Sequence, residues 1–463
     1  MLKNTKIVAT LGPSSDDCTT ITKMVQAGMN VARLNFSHGT HENHEMLLNN
    51  VRTVSKKLGV PIAIIQDLQG PKIRIAKLKE PIQIKKGQIV IINTKNETKE
   101  NNIPIQYKGL PSEVKAGSTI FINDGLLELK VLKTNKKDRI ECKVVCGGIV
   151  ESNKGMNVID GFLKAATLTA KDKKDLAWGI KHKVDFVALS FVKEASDIIS
   201  LKKRLEGTGI KVISKIERRE AVEDETLEGI IIASDAIMVA RGDLGVEVRP
   251  EYVPILQKRM IHLANKHARP VITATQMMQS MIENPTPTRA EVSDVANAIL
   301  DHTDAIMLSN ETSTGPYPLK AIQIMKRISH VVEDEMARHE LFVPNKMYNI
   351  GETCALAYAG VSIACDMNAD AIIVITETGE SALQVAKMRP LKNNFVFTKN
   401  EKTKNQLALV WGVNRIFCIK DFAKLNAKEI VKILKKEKLS HKGQKVVIIN
   451  TQKNSNKIET III

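Results

Sequence analysis

Eight times along the chain, a short apolar run rich in β-branched residues ends in polar or charged residues and gives way to a stretch of helical periodicity. The runs occupy 7–10, 31–37, 63–67, 185–191, 212–217, 237–243, 271–276 and 306–311. Continuous apolar runs, rather than alternating ones, mark strands covered on both faces, as in parallel sheets. Amphipathic helix candidates lie between them at 19–26, 47–57, 195–205, 254–266 and 289–300. The first follows Ser14-Ser15-Asp16-Asp17, which predicts an N-cap and an acidic first turn. Eight strand-then-helix units with short loops predict an α/β chain built on a (β/α)8 TIM barrel.

The spacing breaks once, between Asp67 and Asp185. The intervening stretch holds short strand candidates at 82–84, 88–92, 119–122, 128–132 and 139–145, separated by KKG, KAG and NDG turns. That pattern predicts a small β-barrel or sandwich inserted in a barrel loop, placed to act as a lid. After Arg338 the alternation resumes, with strands at 371–376, 394–398, 415–419, 445–450 and 458–463. Helices at 355–366, 381–389, 403–409 and 427–436 separate most of them and predict an open-sheet α/β domain. The expected domains are thus a barrel over 1–70 and 161–340, an inserted β lid over 71–160 and a C-terminal domain over 341–463.

Composition narrows the functional classes. Lys and Arg number 68 against 51 Asp and Glu, a net +17, but the basic clusters are scattered and mostly broken by acids. Aromatic residues make up only 4% of the chain, so the interleaved stacking platform of a nucleic-acid binder is missing. The charge therefore reads as solvated surface that attracts small anions. No apolar run approaches the ~18 residues that span a bilayer, and the first residues lack a signal-peptide pattern. Six cysteines without a CxxC pair argue against a disulfide framework or a zinc site. A soluble, reduced, cytoplasmic protein is expected, with no nucleic-acid or membrane partner.

In such a barrel, chemistry sits at the C-terminal ends of the strands. Those ends carry Arg33, Asn35, Ser37, Asp67, Lys215, Glu217, Arg241, Asp243, Thr275, Ser309 and Glu311. Any one of them could simply cap the next helix; as a set they point to one mouth. Glu217 and Asp243 end neighbouring runs and offer hard oxygens in small number, suited to Mg²⁺ or Mn²⁺ shared with a substrate. Lys215, Arg33, Arg241 and Arg74 would ring that ion with fixed cations, as phosphoryl transfer requires. Gly242 lets a backbone amide approach a small anion. No glycine is followed by lysine, so a P-loop is excluded, and no GxGxxG occurs. His38, His41 and His44 imitate a metal cluster, but the spacing is HExH, and loop plus helix start is the expectation. Cys142 and Cys146 are expected on one strand face, without a role.

In this order, TLGPSS (10–15), NVARLNFSHGTHENH (30–44), QDLQGPKIR (66–74), NDGL (123–126), NKGMNV (153–158), DFVALSFV (185–192), ISKIER (213–218), IMVARGDLGVE (237–247), VITATQMM (271–278) and DAIMLSNETSTGPYP (304–318) resemble the pyruvate kinases. The resemblance runs through the barrel and both edges of the insert; the C-terminal domain matches in pattern. It implies transfer of a phosphoryl group from phosphoenolpyruvate to ADP, giving pyruvate and ATP, by a homotetramer. It also implies Mg²⁺ on Glu217 and Asp243, and Lys215 on the transferring phosphoryl group and enolate. The amides of Arg241 and Gly242, with Thr275, would hold the substrate carboxylate. Arg33 would bind phosphate; Arg74 and Lys154 would meet nucleotide phosphates, with Asn35, Pro13 and His38 nearby. Thr275, Ser309 and Glu311 would form a proton relay.

Departures from the family pattern are informative. Asn35, Ser37, Asp67 and the Leu68 carbonyl occupy the family's K⁺ position, but Lys72 stands where K⁺-dependent members carry an acid. An ammonium there can supply the charge of the ion, so K⁺ independence is expected. Asn123 replaces an acid at an expected lid hinge, and Asn310 and His302 stand where the family often has Gly. Thr376, Thr378 and Ser381 fall at the family's sugar-phosphate pocket, where Glu377 and Glu380 oppose phosphate and the effector loop is shortened. Strong activation by fructose 1,6-bisphosphate is not expected. Two rival readings are a Mg²⁺-dependent aldolase-type barrel, which leaves Arg74 and the lid lysine idle, and a non-catalytic polyanion binder, which leaves Glu217 without purpose.

Overall fold

Each of the eight runs is a strand in the computed structural model, which describes residues 3–95, 101–158, 167–338, 351–452 and 455–463. In chain order the first strands are β1 (Lys6–Thr10), β2 (Val31–Asn35) and β3 (Ala63–Asp67). The insert contributes β4 (Ile73–Arg74), β5 (Ile82–Ile84), β6 (Ile89–Asn93), β7 (Asn102–Pro104), β8 (Thr119–Ile122), β9 (Leu127–Thr134), β10 (Arg139–Cys146), β11 (Gly148–Val150) and β12 (Gly155–Val158). The barrel resumes with β13 (Phe186–Leu189), β14 (Lys211–Ile216), β15 (Ala236–Ala240), β16 (Val271–Ala274) and β17 (Ala305–Leu308). β18 (Ala371–Ile375), β19 (Asn393–Thr398), β20 (Val413–Cys418), β21 (Lys445–Gln452) and β22 (Ser455–Ile462) follow.

The barrel closes in the order β1-β17-β16-β15-β14-β13-β3-β2, all pairs parallel. Successive side chains point to opposite faces, so every strand feeds two cores. Val8, Val31, Ile65, Ile213, Met238 and Ile272 fill the interior. Ile7, Ala32, Ile64, Val212, Ile237 and Val271 pack against the helical ring. That double burial is why the runs are apolar throughout. Two helices begin as the chain's local chemistry requires: Thr169 and Thr288 form capping boxes at the starts of Ala170–Lys181 and Arg289–Leu300. The first helix differs from expectation. Asp17 itself is the N-cap of Cys18–Ala27, and the first turn has no acid.

The insert is a seven-stranded sheet, β4-β12-β8-β9-β10-β6-β7, beside a β5/β11 ladder. An Ile75–Ile105 bridge joins its two edges, so the sheet curls back on itself. Asn123, expected at a hinge, lies instead in the hairpin turn between β8 and β9, where Asn123, Asp124 and Gly125 all have positive φ. Cys142 is buried and Cys146 exposed, because a register shift after Val144 breaks the alternation. They do not share a face.

The C-terminal sheet runs β20-β19-β18-β21-β22, antiparallel only at β22. The turn before β20 seals the N-terminal end of the barrel: Ala408 and Leu409 join the interior core. Arg389 reaches under the barrel, with bonds of 3.0 Å to both oxygens of Asp304 and 2.6 Å to Asn265 Oδ1, and lies over the Trp411 ring. Stability thus concentrates at the end opposite the loops that carry chemistry. The expected boundaries at 160/161 and 340/341 fall outside the described residues. Among those residues, no helix is long and apolar enough to cross a membrane.

His302, beside this junction, has φ +70, the left-handed backbone that glycine adopts easily. Asn310 has no such conformation and opens the helix Asn310–Ser313 without strain. Burial, with Arg389 nearby, lowers the His302 imidazole to about 4 from 6.5. Between those values the unfolded chain binds a proton that the folded chain refuses, so stability falls as pH drops through the window. His302→Asn, which tolerates positive φ, should remove about one proton's worth of that slope, up to ~1.4 kcal/mol per pH unit. Urea midpoints from pH 7 to 4 would test it; an unchanged slope contradicts the assignment.

Candidate active site

At the C-terminal mouth, strands β2, β3 and β14 bring together a buried set of opposite charges. Arg33 ends β2 in sequence RLN, and its Nε donates to Asp67 Oδ2 at 2.7 Å while an Nη donates to Thr10 Oγ1 at 2.9 Å. Lys215 of β14 contacts Asp67 Oδ1 at 3.3 Å and Glu217 Oε1 at 2.8 Å, and donates to Ser190 Oγ at 2.9 Å. Glu217 Oε2 accepts from the Phe191 amide at 2.8 Å. Asp67 and Glu217 are each about 1% exposed. Charges so buried persist only when paired. Burial pushes the Asp67 carboxyl up, but Lys215 and Arg33 outweigh it and hold it below its ordinary value. Burial lowers the Lys215 ammonium, yet Asp67 and Glu217 raise it overall. Glu217 goes the other way: burial, with Asp243 adding repulsion, raises it despite Lys215.

Asp243 stands next to this set in the first turn of the helix Arg241–Glu247 that follows β15. Its Oδ1 accepts from Lys72 Nζ at 2.5 Å. Thr275 and Gln276, just past β16, both have left-handed backbones, φ +68 and +54. Two non-glycine residues in that region are held there by their surroundings, a feature that clusters at functional sites. The Thr275 hydroxyl donates to Ala274 O at 2.6 Å and accepts from the Gly242 amide at 2.8 Å.

Some side chains are directed elsewhere than expected. Arg241 was expected among the cations facing the ion; its guanidinium is instead taken up by Asp294 at 2.7 Å, the Thr275 carbonyl at 2.7 Å and Met277 Sδ at 2.8 Å. The helix start turns this side chain toward the end of β16 and Asp294, while the Gly242 amide that follows meets the Thr275 hydroxyl. Glu311 accepts from the Ser309 amide at 2.7 Å and the Met278 amide at 3.2 Å, tying β17 to the loop after β16. In the K⁺-position set, Asn35 Oδ1 accepts from the Ser37 amide at 3.2 Å and the Leu68 carbonyl from Ser190 Oγ at 2.7 Å. Arg74 donates to the Asn153 carbonyl at 2.9 Å, and Lys154 pairs with Glu151 at 3.2 Å. Pro13 and His38 lie exposed at the rim; partial desolvation of the His38 ring, with Arg74, Arg33 and Lys171 nearby, lowers its imidazole.

His41 and His44 lie on the helix His41–Leu58, where His41 meets Asp175 at 2.8 Å and His44 stacks on Phe36 at 3.9 Å. They hold the loop and form no metal cluster; among the described residues there is none of three or more ligands. In the C-terminal domain the Thr376 hydroxyl accepts from the Gly379 amide at 3.1 Å, Thr378 from the Glu380 amide at 3.4 Å, and Ser381 pairs with Thr451.

Comparison with known proteins agrees with this architecture. A family model described as pyruvate kinase, barrel domain, matches residues 2–322, and one described as pyruvate kinase, alpha/beta domain, matches 354–463. The chain belongs to the pyruvate kinase family. The pyruvate kinase of Buchnera aphidicola subsp. Acyrthosiphon pisum is 42% identical over 460 residues, covering 96% of this chain and 95% of its own. That of Staphylococcus epidermidis is 41% identical over 423 residues, covering 90% of this chain and 72% of its own. Pyruvate kinase 2 of Synechocystis sp. is 42% identical over 430 residues, covering 90% and 71%. Membership in the pyruvate kinases makes the chain a phosphotransferase.

Sequence reasoning singled out Arg33, Asp67, Lys215, Glu217 and Asp243, which the fold brings together. It missed Thr10, Ser190 and the Phe191 amide, which orient that set. Thr10 and Ser190 are hydroxyl residues at the ends of apolar runs, a signal that was legible but lost among helix caps. Because Asp67 balances two cations in a buried place, Asp67→Asn should cost roughly 3–5 kcal/mol. A urea midpoint equal to that of the unsubstituted protein would contradict the charge-balance account.

Proposed function

We propose that the chain transfers the phosphoryl group of phosphoenolpyruvate to ADP, giving pyruvate and ATP, with Mg²⁺ or Mn²⁺ and without a need for K⁺. The observation that carries this reading is the Lys215 ammonium, held between Asp67, Glu217 and Ser190 at the barrel mouth with Asp243 alongside. The donor set fits a divalent ion. Glu217 Oε1 is buried with the Lys215 ion contact and no hydrogen bond of good geometry, and the neighbouring Asp243 carboxylate repels it. Two carboxylates alone leave coordination to be completed by substrate oxygens, as small hard cations permit. When bound at Glu217 and Asp243, the ion supplies Lewis-acid neutralisation of phosphoryl and enolate charge.

The chain's own groups do the rest. Lys215 and Arg33, fixed by Asp67, present positive charge to the phosphoryl oxygens without reorganising. The Gly242 amide passes from the Thr275 hydroxyl to the substrate carboxylate, and the Arg241 amide lies beside it. Arg74 and Lys154 from the lid meet the nucleotide phosphates, with Asn35, Pro13 and His38 at the rim. The phosphorus–oxygen bond to the enol breaks as the ADP oxygen attacks, and enolpyruvate takes a proton at carbon. Thr275, Ser309 and Glu311 serve that protonation, with the Glu311 carboxylate acting through the loops it ties together. The same reading places the protein in the cytoplasm as a homotetramer with a phosphorylated effector near Thr376, Thr378 and Ser381; the internal bonds of those hydroxyls weigh against strong sugar-phosphate activation.

Support for K⁺ independence comes from the donors at that position. Both Asp67 oxygens face protein cations and the Leu68 carbonyl accepts from Ser190, while the Lys72 ammonium is bonded to Asp243. Lys215→Met should lower kcat by at least ~10²–10³ while divalent-ion binding persists. A lactate-dehydrogenase-coupled assay with ADP and phosphoenolpyruvate reads the loss, and near-normal turnover would refute the role. The same assay in K⁺-free tetramethylammonium buffer should give the rate seen in K⁺; dependence on K⁺ would overturn the monovalent-ion reading.

A further inference from the structure

The lid touches the site's metal-ligand helix through two of its own residues. Lys72, two residues into the insert, donates to Asp243 Oδ1 at 2.5 Å, and Asn157 of β12 donates to Glu247 Oε1 at 3.0 Å. Asp243 and Glu247 are four apart on the helix Arg241–Glu247, so they share one face of it. The lid therefore grips that face at both ends. The course of Lys72 is set by the lid strand: a Cβ on Gly155 would lie 2.6 Å from Lys72 Cε. An added Cβ there would displace the flexible end of the lysine stem from its present path to Asp243. The ammonium and carboxylate are both largely shielded, 18% and 22% exposed, so the bond is a charge-assisted one in a low-dielectric place.

An ammonium and a divalent cation compete for the same carboxylate. Resting on the reading of Glu217 and Asp243 as metal ligands, we propose that Lys72 is a positioning residue. It is a latch by which the lid holds Asp243 until a divalent cation displaces the ammonium. Metal entry then frees the lid from the helix at its Asp243 end, while Asn157 and Glu247 keep the other end attached. Ion binding and lid release become one event, reached without nucleotide.

The test uses the full chain and Mn²⁺ alone, with bound and free ion measured by electron paramagnetic resonance in the absence of substrates. Lys72→Met should bind Mn²⁺ ~10-fold more tightly, the loss of one charge-assisted hydrogen bond to a competing ligand. Gly155→Ala keeps the charge but pushes the flexible stem aside, and should shift affinity in the same direction; the double variant should go no further than Lys72→Met. Unchanged affinity in Lys72→Met overturns the latch. Tighter binding in Lys72→Met with none in Gly155→Ala also overturns it, because removal of a positive charge then suffices. Glu217→Gln should abolish Mn²⁺ binding in every background, and retention there would sink the metal reading itself. Hydrogen exchange at the amides of 155–158 should speed up on adding Mn²⁺ to the unsubstituted protein and not to Lys72→Met; no Mn²⁺ effect in the former overturns the coupling to the lid.

Discussion

The carboxylate of Asp67 is the constraint around which the mouth of the barrel is arranged. It is buried, and it receives Arg33 on one oxygen and the Lys215 ammonium on the other. Without it, two cations would face each other in a poorly solvated place; with it, both are fixed before any substrate arrives. Glu217 then meets Lys215 from the same strand end, and Ser190 and the Phe191 amide orient the pair. A site built this way keeps its positive charge pointed at an incoming anion at little reorganisation cost.

Its stability comes from the far end. The turn at Leu407–Leu409 and the Arg389 side chain close the N-terminal side of the barrel, and Glu333 holds the amides of Asn4 and Thr5 there. Lys6, buried at the same junction and lowered to about 8 by that burial, donates to the Val413 carbonyl. Separating packing from chemistry lets the loops at the mouth carry left-handed residues such as Phe191, Thr275 and Gln276 without unsettling the core.

Most of the fold was legible in the chain because the relevant signals are local. Strand β3 and the helix Arg289–Leu300 fall on their expected residues, since a fully buried strand and a capping box announce themselves over a few positions. Strands β2, β13, β15, β16 and β17 end two or three residues earlier than their apolar runs suggested. Asp243 lies in the first turn of a helix there, and Glu311 sits in another, because the chain turns as soon as the last ladder bond is made. The Cys142/Cys146 pair was misplaced for a related reason: a register shift has no signature in residue type. Arg241 looked like a site cation by its place in the run, but direction is set by partners such as Asp294, distant in sequence.

From the sequence alone came the number of barrel strands, the inserted lid, the third α/β domain and the residue types able to hold a metal and neutralise phosphate. These follow from periodicity and from chemistry intrinsic to side chains. Tertiary structure alone decided which oxygen each cation takes. Lys72 lies 171 residues from Asp243 and meets it only because the lid folds back over the barrel and Gly155 leaves a path. Such pairings depend on distances closed through space, and residue order carries no measure of them.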